Sequence, residues 1–372
     1  MAQVKRVKKS SPLRTLLNPK RIFITIALGL GVAAYLLYSE LDPKALRAIE
    51  FTGNSVLWIG IAVFAAVCRE VGYMYRLRVL SDQRISWRNS FDAIMLWEFS
   101  SSITPSVVGG SGIAIFILSK EKLSVGRSTS IVMITAFLDE LFYVLMVPLL
   151  FTIVGTGLLF PEGISSWPVL GMELGIMQAF WVGYGFIIFL ISIIMYGIFI
   201  SPERFKMLLI RVFSTRLLKR WLRKAYRTGD EIITTSVEMK GKPFVFWVRA
   251  FGATALSWTA RFLVANFILM AFLNLSFNEN LIVLSRQLVM WVIMLISPTP
   301  GSAGVAEFAF AEFFDGIVPL GLVAGIAFLW RVLTFYPYLF LGAIILPKWI
   351  QRVYLGRKFI KFRNPLTPRK NL

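Results

Sequence analysis

The sequence contains no histidine, and Cys68 is its single cysteine among 372 residues. Without histidine there is no imidazole for acid–base catalysis, no phosphohistidine intermediate and no histidine-bound metal. One thiol can close no disulfide within the chain and build no cysteine metal site, and Cys68 lies in an apolar segment. Acids are scarce too, with 20 Asp and Glu against 40 Lys and Arg. No glycine-rich stretch ends in G-K-[ST], so the phosphate-binding loop of that type is missing. Asp139 and Glu140 are adjacent, so on a helix their side chains diverge and make no shared-proton dyad. No second Asp stands in a glycine-flanked motif, and no Ser has an evident base beside it. These absences argue against an enzyme, and no cofactor or metal is expected. The chain also has no polar stretch long enough to bury a core of its own.

What it has is apolar length. Hydrophobic residues make up 57% of the chain and charged residues 16%, with a mean hydropathy of +0.70. Several segments approach the roughly 20 apolar residues that cross a bilayer as a helix. The composition predicts an all-α integral membrane protein with one membrane domain. The basic start runs into Ile22–Tyr38 with no A-x-A-like site before Glu40, so no cleaved signal peptide is expected. The net charge of +20 is concentrated at the ends and in loops. The first 21 residues, and the tail from 348 to 372, carry Lys and Arg without an acid. Basic ends abutting spans mark the cytoplasmic side and attract anionic headgroups, placing both termini in the cytoplasm of an inner membrane. Neither tail resembles a nucleic-acid reader fold, so nucleic acid is not an expected partner.

Loop charge orders the spans. Ile22–Tyr38 is followed by a mixed exterior loop. The second span runs from Ser55 to about Tyr75 and exits into Arg76, Arg78, Arg84 and Arg88, read as a cytoplasmic loop. Ser128–Gly155, Ile176–Ile200, Phe244–Leu273 and Ile317–Leu346 complete about six spans, with a densely basic cytoplasmic loop over 201–243. Two segments remain, Ser90–Leu118 between basic loops and Leu281–Asp315 between loops without Lys or Arg. Each must begin and end on one side of the membrane, which predicts two oppositely oriented re-entrant hairpins. Both carry T-P-x-x-x-G at the turn, Thr104-Pro105 to Gly109 (with Gly110 after it) and Thr299-Pro300-Gly301 to Gly304. Irregular backbone at membrane depth needs protein or a wet cavity around it, so these tips should line something. Units of about 55–155 and 244–347 then form an inverted repeat, the pattern of transporters with a midplane site.

Thr before Pro suits an N-cap and first helical position, and a helix N-terminus inside a membrane favours an anion such as a lipid phosphate. The same Pro and Gly could serve only to turn the chain, and both roles stay open. Ionisable groups within spans are the stronger signal, because each is costly there. They are Arg69, Glu70, Glu98, Asp139, Glu140, Arg249, Arg261, Arg286, Glu307 and Arg331. Glu70 and Arg249 sit near span ends or beside another charge and are expected to snorkel or pair locally. Arg69, Asp139, Arg261, Glu307 and Arg331 sit deeper, along a substrate path or as ion pairs between spans. Arg69 and Arg261 stand at matching places before the two tips, and Asp139 and Arg331 at matching places after them.

The stretch P-T-P-G-S-A-G-V-A-E-F at 298–308 resembles the P-x-T-P-G-x-x-G-x-x-E element of the lysylphosphatidylglycerol synthase transmembrane, or flippase-like, family. T-P-S-V-V-G-G at 104–110, C-R-E-x-x-Y-x-Y-R-L-R-V-L at 68–80 and Leu138-Asp139 resemble its upstream pattern. The likeness covers roughly 20–350. It implies a flippase-like membrane domain over 22–347 that moves lipids between leaflets, passively or coupled to an ion, and the hairpin tips and buried charges predict a site for a lipid with a phosphate headgroup. Thr104, Pro105, Gly109, Gly110, Asp139, Arg261, Thr299, Pro300, Gly301, Gly304, Glu307 and Arg331 would form that site. Only a basic tail follows residue 350, so no synthase domain and no lysine transfer is expected. Ser111 stands where the family often has a glutamate after the first hairpin glycine. The competing expectation is a membrane-embedded enzyme or scaffold of lipid or polyprenyl-glycan metabolism.

Overall fold

The computed structural model describes residues 51–103, 107–161, 167–169, 172–295 and 305–354. Its first long helix, α1 (Gly53–Leu80), starts in a capping box in which Thr52 and Ser55 satisfy each other's backbone N–H. Two shorter helices follow, α2 (Trp87–Ile103) and α3 (Val107–Lys120). The helix α4 (Val125–Val154) is capped by Ser124, whose hydroxyl accepts from Arg127 N at 3.1 Å. A one-turn helix α5 (Thr156–Leu159) and a two-stranded hairpin, β1 (Trp167–Val169) with β2 (Met172–Leu174), precede α6 (Ile176–Met195). Then come α7 (Pro202–Phe213), α8 (Leu222–Lys240), α9 (Phe244–Met270), α10 (Phe277–Leu295), α11 (Val305–Phe313), α12 (Leu320–Thr334) and α13 (Tyr336–Tyr354).

Lengths separate two kinds of helix. With 28, 30 and 27 residues, α1, α4 and α9 reach about 40–45 Å at 1.5 Å per residue, more than the roughly 30 Å hydrocarbon core. α3 has 14 residues and α11 has 9, too short to cross alone. Among the described residues five segments are long and apolar enough to span, four of them built on α1, α4, α6 and α9 and the fifth running from Leu322 to Val353. Apolar side chains stay exposed along their outer faces, as Phe64, Leu149, Phe189 and Leu256 do, which suits a lipid solvent. The first expected span, Ile22–Tyr38, lies outside the described residues.

The centre is the pairing of α1 with α9 along most of their lengths. Small residues make it close. A Cβ on Gly72 would sit 2.3 Å from Ser257 Oγ and 3.2 Å from Ala253 O. Ser257 Oγ donates to Arg69 O at 3.1 Å, and Ser55 Oγ donates to Ala271 O at 2.7 Å. Small residues and interhelical hydroxyl bonds are what hold helices together where lipid competes equally for apolar surface. The helices around this pair follow matching patterns. α2 packs on α1 and α3, as α10 packs on α9 and α11. α3 meets α4 as α11 meets α12. α4 reaches across to α9 and α10, while α12 and α13 reach across to α1 and α2.

Three boundaries differ from those expected. α1 does not exit at Tyr75 but continues to Leu80, so Arg76, expected in a cytoplasmic loop, is buried. Ile317–Leu346 is not one helix: it breaks at Phe335 (φ −130°, ψ −56°) into α12 and α13. Pro337 lies just beyond, and its missing N–H and ring forbid a continuous ladder there. The basic loop over 201–243 is helical, with α7 beginning on Pro202 and α8 packed on α4.

Candidate functional site

A cavity of about 370 Å³ lies between the two halves, lined from α1, α2, α3, α4, α6, α9, α10, α12 and α13. Its walls carry most of the charged groups that the spans contain, and helical spacing explains one cluster. Arg69, Tyr73 and Arg76 recur at four and three residues, so they share one face of α1. That face meets α2, α4 and α13.

Arg76 pairs with Asp139, Nη1 to Oδ1 at 2.5 Å, and also donates to Thr254 Oγ1 at 3.0 Å. Trp258 Nε1 donates to the same Asp139 oxygen at 2.8 Å. One cation and one anion are thus matched, with α9 supplying two further bonds. The neighbouring cluster is not matched one to one. Arg69 donates to Glu70 Oε1 at 2.8 Å and to Glu98 Oε1 at 2.7 Å. Its guanidinium also donates to the hydroxyl of Tyr338, which in turn donates to Glu70 Oε1 at 2.7 Å. The rings of Tyr73 and Tyr338 flank it, 5.0 and 4.9 Å from the guanidinium carbon.

Arg261, the counterpart of Arg69 in the second half, is held differently. Its guanidinium carbon stands 4.0 Å from the centre of the Trp291 ring and 5.2 Å from that of Trp258. Among the described residues no carboxylate pairs with it and no hydrogen bond fixes it. Glu140, on the opposite wall, likewise has no hydrogen-bond partner among the described residues. Arg331, buried on α12, lines the same cavity and lies 3.7 Å from the Phe335 ring centre. The acids Glu98, Asp139 and Glu140 come from α2 and α4, whereas Arg261 and Arg331 come from α9 and α12. Arg76 also lines the cavity from the first half but is matched by Asp139, so the first half contributes a net acidic lining and the second a basic one.

Of the residues expected at the site, Asp139, Arg261 and Arg331 come together here. Gly110 is a packing residue: a Cβ there would lie 2.1 Å from Ser101 Oγ, so its smallness lets α3 close on α2. Gly109 is in the first turn of α3 and Glu307 in the first turn of α11, and the structure does not describe the side chain of Glu307. Thr104, Pro105, Thr299, Pro300, Gly301 and Gly304 fall outside the described residues. Glu70, expected to pair locally, does so with Arg69, and Arg249 is exposed. Arg286, midway along α10, donates to the carbonyls of Leu158, Phe313 and Asp315, tying α10 to α5 and to the end of α11. The residues missed were Arg76, Tyr338 and Trp291. The four-and-three spacing from Arg69 held the signal for the first.

Outside the spans, two charge clusters tie the ends of the helices. Asp82, in the turn after α1, accepts from Arg127 at 2.8 Å and Lys242 at 2.5 Å, and Arg127 also pairs with Glu238. Glu121, just past α3, accepts from Trp349 Nε1 at 2.7 Å and pairs with Arg352. Burial pushes the Glu121 carboxyl above its ordinary range, against the pull of Trp349 and Arg352.

A comparison with known families matches residues 22–342 to the lysylphosphatidylglycerol synthase TM region. The chain belongs to that family. A curated relative, described as a UPF0104 membrane protein of Archaeoglobus fulgidus, is 25% identical over 354 residues, covering 92% of this chain and all of its own. No solved structure matches. Membership agrees with a multi-pass membrane protein. The family's name links it to lipid.

Proposed function

We propose that the protein carries a phospholipid, or a lipid of related headgroup, between the leaflets of an inner membrane, with both termini cytoplasmic and without converting it chemically. The observation that carries this reading is Arg261. A guanidinium inside a membrane protein is costly unless something meets its charge. Arg261 lies on cavity-facing tryptophans and has no anion among the described residues. A lipid phosphate meets it with paired N–H donors, which suit phosphate oxygens better than an ammonium does. Glu140, which also lines the cavity, suits a cationic headgroup on the same lipid. The matched packing of the two halves supports an inverted repeat rocking about α1 and α9, with α2–α3 and α10–α11 as the re-entrant elements. Polar groups spread along a cavity rather than gathered around one nucleophile favour passage over catalysis.

The test is leaflet exchange of headgroup-labelled phospholipid in proteoliposomes. Protein-containing vesicles are expected to expose the label to an external quencher well before protein-free ones. Equal exchange with and without protein overturns the reading.

A further inference from the structure

The Arg69 cluster contains two carboxylates and one guanidinium. Among the described residues, buried Glu70 Oε2 accepts no hydrogen bond and buried Arg69 Nε donates none. Charged and titratable groups facing the cluster are Tyr73 on α1, Asp139 and Glu140 on α4, Arg261 on α9, Arg331 on α12 and Tyr338 on α13. Asp139 already has Arg76. The cation beyond Arg69 whose charge acts on Glu70 is Arg261, through space. With the cavity empty, two arginines face two carboxylates and the sum is neutral.

An anion on Arg261 destroys that neutrality. In a low-dielectric interior an uncompensated charge is strongly disfavoured, so occupancy must be matched by a cation. Among the described residues no group of three acids is placed to hold a metal ion. The cavity exposes Glu98, whose side chain is 26% accessible, which leaves a route for a proton from water. We propose that the Glu70–Glu98 pair takes up one proton as a phosphate headgroup occupies Arg261, so that an anionic lipid and a proton bind together. The proton comes from water in the cavity and forms an O–H bond on one of the two carboxylates. It returns to water when the lipid leaves. With the proton and a singly charged phosphodiester both bound, the same four groups are again neutral. Either ligand alone leaves one charge unanswered, and by linkage each must tighten the other, typically by about 5–150-fold.

This rests on the reading of the cavity as a lipid-phosphate site, and the experiment separates the two. Dihexanoyl phosphatidylglycerol is titrated calorimetrically into the full chain in nonionic detergent, in buffers of different ionisation enthalpy. The expected result is uptake of up to about one proton per lipid, with affinity rising up to about tenfold for each unit that the pH falls. Glu98→Gln is expected to bind without proton uptake, holding at all pH values the affinity that the native chain reaches only in acid. Glu70→Gln serves if Glu98→Gln does not fold. Saturable binding with no proton uptake between about pH 5 and 9 overturns the coupling and leaves the lipid site standing. No saturable binding at any pH overturns both.

Discussion

Arg69 and Arg261 occupy matching places in the two halves, and the structure treats them in opposite ways. Arg69 is 3% exposed and held by two carboxylates, a tyrosine hydroxyl and two aromatic faces. Arg261 is half-buried and, among the described residues, held only by the faces of Trp258 and Trp291. The same residue type in equivalent positions thus joins helices in one half and is left available in the other. The neighbours decide the difference: Glu98 and Tyr338 close on Arg69, while Trp258 and Trp291 leave the guanidinium of Arg261 facing the cavity.

The comparison can be broken at Arg69 first. Arg69→Leu leaves Glu70 and Glu98 without their cation, and losing one partner of a buried ion pair costs about 3–5 kcal/mol. Unfolding in nanodiscs should show that loss as the largest drop among these variants. Asp139→Ala should approach it, because Arg76 is then unpaired. Replacing Arg76 and Asp139 together by Met and Leu should recover most of the stability, since apolar groups of similar volume often equal a buried pair. A double variant as unstable as the sum of the singles would show that the pair does not act as a unit.

At the junction of the halves, Gly72→Val drives methyls toward Ser257 and the Ala253 carbonyl. Overpacking of this kind costs about 1–3 kcal/mol, and Ser257→Ala should relieve part of it. A smaller effect is expected at Glu121. Its carboxyl holds a proton more tightly folded than unfolded, so its contribution is present in acid and fades as pH rises from the ordinary carboxylate range through the raised one. Unfolding midpoints followed against pH should show that decline, and Glu121→Gln should flatten it. An unchanged slope would remove Glu121 as its source.

Much of this was legible beforehand. Apolar runs and loop charge located α1, α4, α6 and α9, and the cost of intramembrane charge pointed to Asp139, Arg261 and Arg331, all of which reach the cavity. Arg76 was hidden because a run of arginines resembles a membrane exit, and hydropathy averages out the periodicity that puts it on the face of Arg69. The break at Phe335 was signalled by Pro337 and obscured by the unbroken apolar run around it. The division of labour between Arg69 and Arg261 could not be read from either segment alone. It depends on α2 bringing Glu98, and α13 bringing Tyr338, from distant parts of the chain.

The smallest expected effect on stability belongs to the residue given the largest role. Arg261→Gln removes two cation–π contacts worth about 0.5–2 kcal/mol and leaves every ion pair among the described residues in place, and a proton on the Glu70–Glu98 pair answers the charge it takes away. Its consequence should appear in the lipid instead. Phospholipid retained per protein after exhaustive washing in detergent, quantified by phosphorus content on the native chain and on Arg261→Gln, tests this directly. The native chain should keep about one phospholipid, as a single Arg261 site implies, and Arg261→Gln should lose it with its unfolding midpoint nearly unchanged. Equal retention by the two proteins would contradict the assignment of Arg261 as the open site.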